Sequence, residues 1–208
     1  MSGVKERVPS AMEAVRTLRT KLASRKQDAV LSMASPGMPI ETLESIRGAL
    51  EPLGLFSDDA LLFMSGGGNR IIMDASGTIV GSSLFDNVDA PLALFDQGTF
   101  ALEYAKRGQA LKASTDDMAQ LFGPRVPCGV RPWGRTPAFL VEGRGFVVTG
   151  RYEEELVAAA ILIEKACRAE MLAPKVGQIH YLNPALCMAE HAVYLASYSK
   201  REKEAHDG

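Results

Sequence analysis

Residues 137–174 constrain the fold more than any other part of the chain, because a hairpin pattern leads directly into a long helical pattern. Residues 138–142 and 146–149 are rich in β-branched and aromatic side chains, which favour strands. A Gly-Arg-Gly sequence between them supplies the backbone freedom of a tight turn. We therefore predict two strands joined by a turn, and then a helix that ends before Pro174.

The predicted helix begins after Gly150 and carries a broad apolar face. Glutamates at 153–155 stand where the positive end of the helix dipole stabilises negative charge. Apolar residues recur at helical spacing, and a second row widens the stripe. The two rows are Leu156, Ala160, Ile163, Cys167 and Met171, and Ala159, Leu162, Ala166 and Ala169. We expect this face to be buried.

Length and charge favour one domain, residues 1–208, with neither a nucleic-acid nor a membrane partner. Hydrophobic residues make up 47% of the chain and charged residues 23%, as in ordinary globular proteins. With 23 basic and 25 acidic residues, the formal net charge of −2 leaves no basic field for DNA or RNA phosphates. Residues 1–14 lack the apolar core of a signal peptide, and no apolar run is long enough for a bilayer. We expect a cytoplasmic location.

Residues 1–56 are predicted to form helices that cover one side of a sheet. A capping-box pattern at Ser10 and Glu13 begins the first helix, whose other face is basic. An apolar period that ends at Leu50 marks the second, which a proline and a glycine close. The pattern then becomes typical of strands, in runs at 60–64, 70–74 and 78–85.

The remaining segments predict shorter elements. The segment 91–100 is ambiguous, and a helix that ends near Gly108 is one interpretation. Ser114 and Asp117 form a capping pattern for a short helix through Phe122. Beyond the long helix we predict a short strand at 179–182, a closing helix at 184–198 and a polar tail at 199–208.

Three cysteines, Cys128, Cys167 and Cys187, are far apart and odd in number. We therefore expect neither a disulfide nor a cysteine-based zinc site. Cys167 lies on the apolar face of the predicted helix and is expected to act as a small hydrophobe. Cys128 would need a neighbouring base to become a nucleophile, and the sequence offers none nearby.

The three histidines, His180, His191 and His206, all follow the long helix, and none stands at the spacing of metal ligands. This pattern favours a protein without a catalytic metal. A metal site built from His180, His191 and a carboxylate such as Glu142 or Glu190 is the alternative.

A glycine-rich loop, residues 65–69, lies between two predicted strands. Consecutive glycines let successive backbone N–H groups point into one concavity, which suits an anion or a phosphate. The loop is neither a Walker A motif nor a dinucleotide fingerprint, because the residues and the helix that those motifs require are missing. A plain glycine-rich β-turn is the alternative interpretation.

A second candidate is the loop 128–135, which combines a thiol, two arginines and the chain's tryptophan. Arg131 can clamp a carboxylate or a phosphate, and Trp133 can stack on a planar ligand. A rigid connector with Trp133 as a hydrophobic plug is the other interpretation.

The segment LVEGRGFVVTGRYEEELVAAAILIEKACRAEMLA resembles the C-terminal part of the class II aldolase/adducin family. There, a strand ends in His-Gly, a second strand follows, and a Glu-rich turn leads into a long helix. The flanking VPCGVRPWGRTP and GQIHYLNP also resemble the family's pattern. The resemblance implies an α/β fold, a three-layer sandwich with a central, mainly antiparallel sheet flanked by helices. It also implies a homo-oligomer, a tetramer with sites between subunits.

Three short motifs resemble the family's substrate site and occur in the family's order, although more closely spaced. They are Gly68-Asn69 for its Gly-Asn phosphate motif, Ser76-Gly77 for its Ser-Gly motif, and Ser82-Ser83 for its serine pair.

The chain departs from the family at the residues that hold the metal. A divalent ion such as zinc or manganese is usual in the family, but Arg144 stands where the strand would end in the metal-binding His. Leu84 replaces the catalytic Glu after the serine pair, and no histidine occurs before Cys128 where a His-x-His pair is expected. A guanidinium stays protonated and has no lone pair for a cation. We therefore expect no metal cofactor.

We expect an aldolase-like protein, with two alternatives for its activity. In the first, a carbon–carbon lyase acts on a small phosphorylated or carboxylated carbonyl compound, and Glu142 and Arg144 are catalytic in place of the metal. The residues that bind the anionic ligand are then Gly66, Gly67, Gly68, Asn69, Ser76, Gly77, Ser82, Ser83 and Arg131. In the second, a non-catalytic relative keeps the scaffold for binding or assembly. The first predicts an arginine-lined pocket near the glycine loop, and the second predicts that side chains fill that place.

Overall fold

A mainly antiparallel sheet of six strands forms the centre of the computed structural model, which describes residues 38–66, 68–132 and 137–206. In chain order the strands are β1 (Leu61–Gly66), β2 (Asn69–Asp74), β3 (Leu92–Asp96), β4 (Leu111–Lys112), β5 (Arg125–Val126), β6 (Cys128–Gly129), β7 (Ala138–Val141) and β8 (Gly145–Gly150). The sheet has the order β2-β1-β3-β8-β7-β6, while β4 and β5 form a separate ladder. Within the sheet, all neighbours are antiparallel except β6 and β7.

Helices pack along one face of this sheet. They are α1 (Met38–Leu50), α2 (Thr99–Ala105), α3 (Asp116–Phe122), α4 (Glu153–Leu172) and α5 (Pro184–His206). Both α2 and α4 pack against β8, α1 packs against α4, and α3 packs against α5. The larger apolar cluster includes Leu94, Val148, Leu156 and Ile163, all fully buried. The predicted α/β fold, with a mainly antiparallel sheet flanked by helices, is confirmed.

The other face of the sheet carries a smaller apolar cluster, called here the outer-face cluster. Its members are Phe63, Leu84, Phe85, Val88, Ala93, Phe95, Phe139, Val141 and Val147. The rings of Phe63 and Phe85 stack with their centroids 5.4 Å apart. Because both faces of the sheet are covered, β3 is buried at every position instead of alternating between buried and exposed residues.

The predicted hairpin and long helix are confirmed as β7, β8 and α4. The turn between the strands requires glycine, because Gly143 has a φ of 68° and Gly145 a φ of 130°. A Cβ added at Gly145 would lie 2.3 Å from the carbonyl oxygen of Asp96, so no side chain fits there. Cys167 is fully buried on the apolar face of α4, as expected for a small hydrophobe.

A buried aspartate ties the loop after α1 to the end of β3. Asp96 is fully buried, and its carboxylate accepts N–H bonds from Phe56 at 2.7 Å, Ser57 at 2.8 Å and Gln97 at 2.8 Å. Phe56 has a φ of 70°, a left-handed conformation that is uncommon for a bulky residue. These charge-assisted hydrogen bonds hold the loop in that conformation.

The segment 91–100, ambiguous in the sequence, contains the whole of β3 and the start of α2. A carboxylate from α4 defines where α2 begins: Glu164 accepts the N–H groups of Phe100 and Ala101, each at 2.8 Å. It therefore satisfies two of the donors that a helix N-terminus leaves without partners. Burial raises the pKa of Glu164, since a partly desolvated carboxylate is less stable in its charged form.

The predicted strand at 78–85 is wrong. In the described part of this segment, Ile79 forms only an isolated bridge with Met73. The hydroxyl of Ser82 then accepts the N–H of Leu84 at 3.3 Å and begins a short 3-10 helix, Ser83–Phe85. This turn carries Leu84 and Phe85 into the outer-face cluster, so burial of two large side chains overrides the local strand pattern.

Other boundaries also differ from the prediction. The hydroxyl of Thr115, and not that of Ser114, caps α3 by accepting the N–H of Met118 at 3.4 Å. Residues 179–182 form no strand, although Leu182 donates its N–H to the carbonyl of Ala113 at 2.9 Å. The closing helix, α5, ends at His206 and not near residue 198, so it includes most of the predicted polar tail.

The helix predicted to end near Leu50 is confirmed as α1, which a 3-10 turn and Gly54 close. The first predicted helix, which begins near Ser10, lies outside the described residues. None of the described helices is long and apolar enough to cross a membrane.

Candidate functional site

The turn between β7 and β8 carries Glu142 and Arg144, the two residues predicted to be catalytic. Their side chains lie on different sides of the sheet. Glu142 points toward the loop after α2, where its Oε1 is 3.1 Å from the position of a Cβ on Gly108. The guanidinium carbon of Arg144 lies 5.4 Å from the centroid of Phe95, in the outer-face cluster. Both side chains are exposed, and among the described residues no ion pair joins them. Glu142 and Arg144 therefore do not act as an ion pair within the described part of one chain.

Three backbone hydrogen bonds hold this turn in place. The N–H of Glu142 donates to the carbonyl of Gly129 at 2.8 Å, and the N–H of Gly143 donates to that of Ala105 at 3.2 Å. The N–H of Arg144 closes the turn on Val141 at 2.9 Å. The turn is thus fixed both to β6 and to the end of α2.

Apolar side chains lie where the resemblance would place the catalytic Glu and the metal. Leu84, at the position of that Glu, is 4% exposed and belongs to the outer-face cluster. Arg144, at the position of a metal-binding His, covers Phe95 of the same cluster. No group of three His, Cys, Asp or Glu side chains among the described residues could hold a metal ion. Arg144 and Leu84 themselves offer no lone pair to the zinc or manganese ion that the resemblance implies.

The glycine-rich loop is a tight hairpin turn, distant from Arg144. Gly66 pairs with Asn69 across the turn, and Gly68 has a φ of 83°. Leu61, at the opposite end of the six-residue β1, pairs with Phe95. Because the ends of such a strand are about 17 Å apart, the two candidate sites are not adjacent within one chain. Gly67 and the loop residues Trp133 and Arg135 lie outside the described residues.

Ser76 and Gly77 occupy an exposed turn at the far end of β2 from Asn69. The carboxylate of Asp74 accepts the hydroxyl of Ser76 at 2.6 Å and the N–H groups of Ser76 and Thr78 at 2.9 and 3.0 Å. These bonds, first among them that of the Ser76 hydroxyl, lower the pKa of Asp74. The hydroxyl of Ser76 is therefore already bonded to Asp74 in its own turn. The Ser-Gly and Gly-Asn motifs lie at opposite ends of β2.

The outer side of the sheet carries three arginines, called here the arginine face: Arg70, Arg131 and Arg144. Arg70 donates to the carbonyl of Phe85 at 2.6 Å and lies 4.9 Å from the ring centroid of Phe63. Arg131 lies 4.0 Å from a carboxylate oxygen of Asp86, with both side chains more than half exposed. The segment 82–86, which includes Ser82 and Ser83, therefore lies between Arg70 and Arg131.

Sequence reasoning did not find Arg70. Its signal was present, because Arg70 follows Asn69 in a predicted strand and an alternating pattern places it on the same face as Ile72, which packs against the outer-face cluster. Which face of that strand was buried could not be decided without its partners.

Cys128 and His191 have surroundings that suit a structural role. Burial, followed by the charge of Glu142, raises the pKa of the Cys128 thiol, so this thiol is protonated at neutral pH. The ring Nδ1 of His191 lies 2.7 Å from the carbonyl oxygen of Gln120, which joins α5 to α3.

A second residue that the sequence did not single out is Glu170, near the end of α4. It is 6% exposed, its Oε2 accepts the hydroxyl of Tyr181 at 3.0 Å, and its Oε1 has no hydrogen-bond partner among the described residues. Burial raises the pKa of Glu170, although Tyr181, Arg107 and Lys112 act in the opposite direction. A glutamate among charged residues at a helix end gives no sequence signal of burial, because only tertiary packing covers it.

The raised pKa of Glu170 predicts a pH-dependent stability. Between the ordinary pKa of the carboxyl and its higher folded value, the folded state binds more protons than the unfolded state, so stability falls as pH rises. We expect Glu170→Gln to raise the unfolding temperature at neutral pH, with an advantage that shrinks at acidic pH. Thermal unfolding over a pH series measures this, and an effect that does not vary with pH would contradict it.

Comparison with solved structures reveals the same fold in class II aldolases. The chain is similar to an L-fuculose 1-phosphate aldolase from Glaciozyma antarctica PI12, with a TM-score of 0.61 and 14% identity over 83% of this chain and 87% of that chain. For another L-fuculose 1-phosphate aldolase the TM-score is 0.58, with 14% identity over 77% and 97%. For an aldolase II superfamily protein from Pseudomonas syringae it is 0.55, with 12% identity over 90% and 95%.

No family model matches the sequence, and a search of curated proteins finds no match. The likeness to class II aldolases therefore lies in the fold, as the resemblance of residues 140–173 predicted. At these identities the structural likeness defines an aldolase fold and leaves the activity to the chain's own residues.

Proposed function

We propose that this aldolase-like protein binds a small phosphorylated or carboxylated carbonyl compound on its arginine face and does not cleave it. The observation that carries the proposal is the contact of Arg144 with Phe95 in the outer-face cluster, which also contains Leu84, the residue at the position of the family's catalytic Glu. A guanidinium is always charged and can hold a carboxylate or a phosphate with two parallel hydrogen bonds. Arg70 and Arg131 lie on the same side of the sheet, where Arg70 also donates to the carbonyl of Phe85 and Arg131 lies 4.0 Å from Asp86.

Carbon–carbon cleavage needs a base for the substrate hydroxyl and a group that stabilises the enolate. Arg144 can serve the second role. Among the described residues near it, Glu142 is the carboxylate closest in sequence, but it points to the other side of the sheet. This separation favours binding over catalysis.

A lyase is the second candidate, and the exposed Arg144 favours it, because a cation held on an aromatic ring is pre-organised for a developing enolate. In that case Arg144 and Glu142 are catalytic. The anion-binding residues of the glycine-rich turn, too distant in one chain, would come from a neighbouring subunit.

Such an arrangement requires a homo-oligomer, and we propose a tetramer. The support is a pair of exposed apolar side chains on one face of α5, where Leu186 and Val193 are 63% and 69% exposed. Light scattering on the purified chain measures the mass, and a monomer would contradict the proposal. The cytoplasmic location expected from the sequence stays a prediction.

A cleavage assay separates the two candidates. L-fuculose 1-phosphate and a panel of sugar phosphates and keto acids are incubated with the protein, with and without added zinc or manganese. We expect saturable binding in calorimetry and no cleavage. Cleavage that disappears in Arg144→Ala would support the lyase, and absence of binding to the whole panel would contradict both candidates.

A further inference from the structure

A buried carboxylate with an unpaired oxygen lies beneath exposed tyrosines and cations on the helical side of the fold. Glu170 is 6% exposed, and its Oε1 has no hydrogen-bond partner in the described part of the chain. Leaving a buried acceptor unpaired is unfavourable, and such groups in folded proteins are rare. The oxygen therefore marks a place that a donor from outside the chain can fill.

Tyr181 contacts Glu170 directly, and the charges of Lys112 and Arg107 act on it. Tyr181 donates its hydroxyl to Oε2 at 3.0 Å, and Lys112 Nζ lies 5.1 Å from the centroid of the Tyr181 ring. The guanidinium carbon of Arg107 lies 5.1 Å from the centroid of Tyr104. Lys112 and Arg107 both favour the charged form of Glu170 electrostatically, yet neither forms an ion pair with it among the described residues. The rim thus offers two cations and two aromatic rings beside one carboxylate.

Tyr181 contacts Glu170 from a segment without regular secondary structure. It is 46% exposed and belongs to the segment 176–183, which contains no helix or strand. Its side chain is held by the hydrogen bond to Glu170 and by the contact with Lys112. Oε1 is shielded from solvent, so binding of a ligand there would require a side chain near it, such as Tyr181, to turn outward.

We propose that Glu170, Tyr181, Lys112 and Arg107 form a binding site for a small hydroxylated anion, a hydroxy acid or a phosphorylated polyol. A hydroxyl of the ligand donates to Oε1 of Glu170, and the carboxylate or phosphate lies between Lys112 and Arg107. The ring of Tyr181 packs along the carbon skeleton. This site is separate from the arginine face, because Tyr104 belongs to the larger cluster between sheet and helices, and Phe95, under Arg144, belongs to the outer-face cluster.

Calorimetric titration of the full chain with glycerol 3-phosphate and with sulfate tests this site. Sulfate is the comparison because it has no hydroxyl to donate to Glu170. The Arg144→Ala background strongly weakens binding on the arginine face, so that this test can fail without the proposed function failing. We expect glycerol 3-phosphate to bind more tightly than sulfate.

Two variants in that background locate the binding. Lys112→Met is expected to weaken the binding of both ligands by about tenfold, which is the affinity that one charged hydrogen bond contributes. Glu170→Met removes the acceptor of the ligand hydroxyl and also a negative charge beside both anions, so the preference for glycerol 3-phosphate over sulfate is expected to fall by about tenfold. The matched control is Glu190→Met, because Glu190 also has a buried oxygen without a partner among the described residues but lies on α5. It should change neither affinity.

Three results would overturn the proposal. The first is no binding of glycerol 3-phosphate, and the second is binding that Lys112→Met leaves unchanged. The third is a crystal structure at saturating glycerol 3-phosphate in which only a water contacts Glu170 Oε1. Lys112 is exposed, so its replacement should not disturb folding, and it decides the question even if Glu170→Met fails to fold.

Discussion

Replacing Arg144 by alanine should strongly weaken the binding of small anionic ligands on the arginine face while leaving the fold intact. The side chain is exposed and rests on the ring of Phe95, so its removal opens no internal cavity. A hydrogen-bonded charge pair with a ligand accounts for about tenfold to a hundredfold in affinity, and a bidentate contact lies at the upper end. Calorimetry with L-fuculose 1-phosphate and with keto acids measures the loss.

Arg168→Ala is the matched control for this variant. Arg168 is also exposed, and its guanidinium carbon lies 5.5 Å from the centroid of Phe100, so the two substitutions remove similar contacts at different places. The control should bind the ligands as the unchanged protein does. Equal affinity in Arg144→Ala and Arg168→Ala would show that the arginine face does not bind these anions.

Substitution of Gly145 by alanine should cause the largest loss of stability. Gly145 has a φ of 130°, which side chains rarely adopt, and a Cβ there would lie 2.3 Å from the carbonyl oxygen of Asp96. The obstacle is backbone in the middle of the sheet, so relief requires a shift of β3 against β8. We expect a loss of about 3 kcal/mol or more, and a fall in Tm of roughly 6 to 12 °C for a chain of this size.

Gly143→Ala separates strain from collision in the same turn. Gly143 also has a positive φ, 68°, but an added Cβ would meet no atom within 4 Å. The left-handed backbone conformation is then the main cost of the alanine, a loss of about 1 kcal/mol in the free energy of unfolding. Denaturant unfolding of both variants measures the difference. If the two losses were equal, the close approach between β8 and Asp96 would not be what excludes a side chain.

The elements that the sequence predicted correctly are those whose pattern depends on near neighbours. The hairpin, the long helix α4 and the helix α1 follow from alternation, helical period and glycine or proline at their ends. The predicted strand at 78–85 failed because Leu84 and Phe85 are buried by residues from other strands. Local propensity cannot weigh such distant burial.

The candidate site was predictable only in part. The resemblance of the β7–β8 segment pointed to an aldolase fold, which is confirmed, whereas the role of Arg144 in place of a metal ligand stays a prediction. The grouping of the glycine-rich turn, Ser76 and Arg144 into one site did not follow, because motifs close in sequence lie at opposite ends or on different strands of a sheet. Arg70 and Glu170 became visible only through their partners.

The amino-acid sequence determined the local elements and the chemistry that each segment carries: a Gly-Arg-Gly turn with a permanent cation, an amphipathic helix and histidines without metal-ligand spacing. Tertiary structure alone decided which of these groups meet. It set Arg144 on Phe95, turned Glu142 to the opposite side and buried Glu170 beneath Tyr181. The reason is physical: periodicity acts between residues a few positions apart, whereas strand register and burial join residues far apart in the chain.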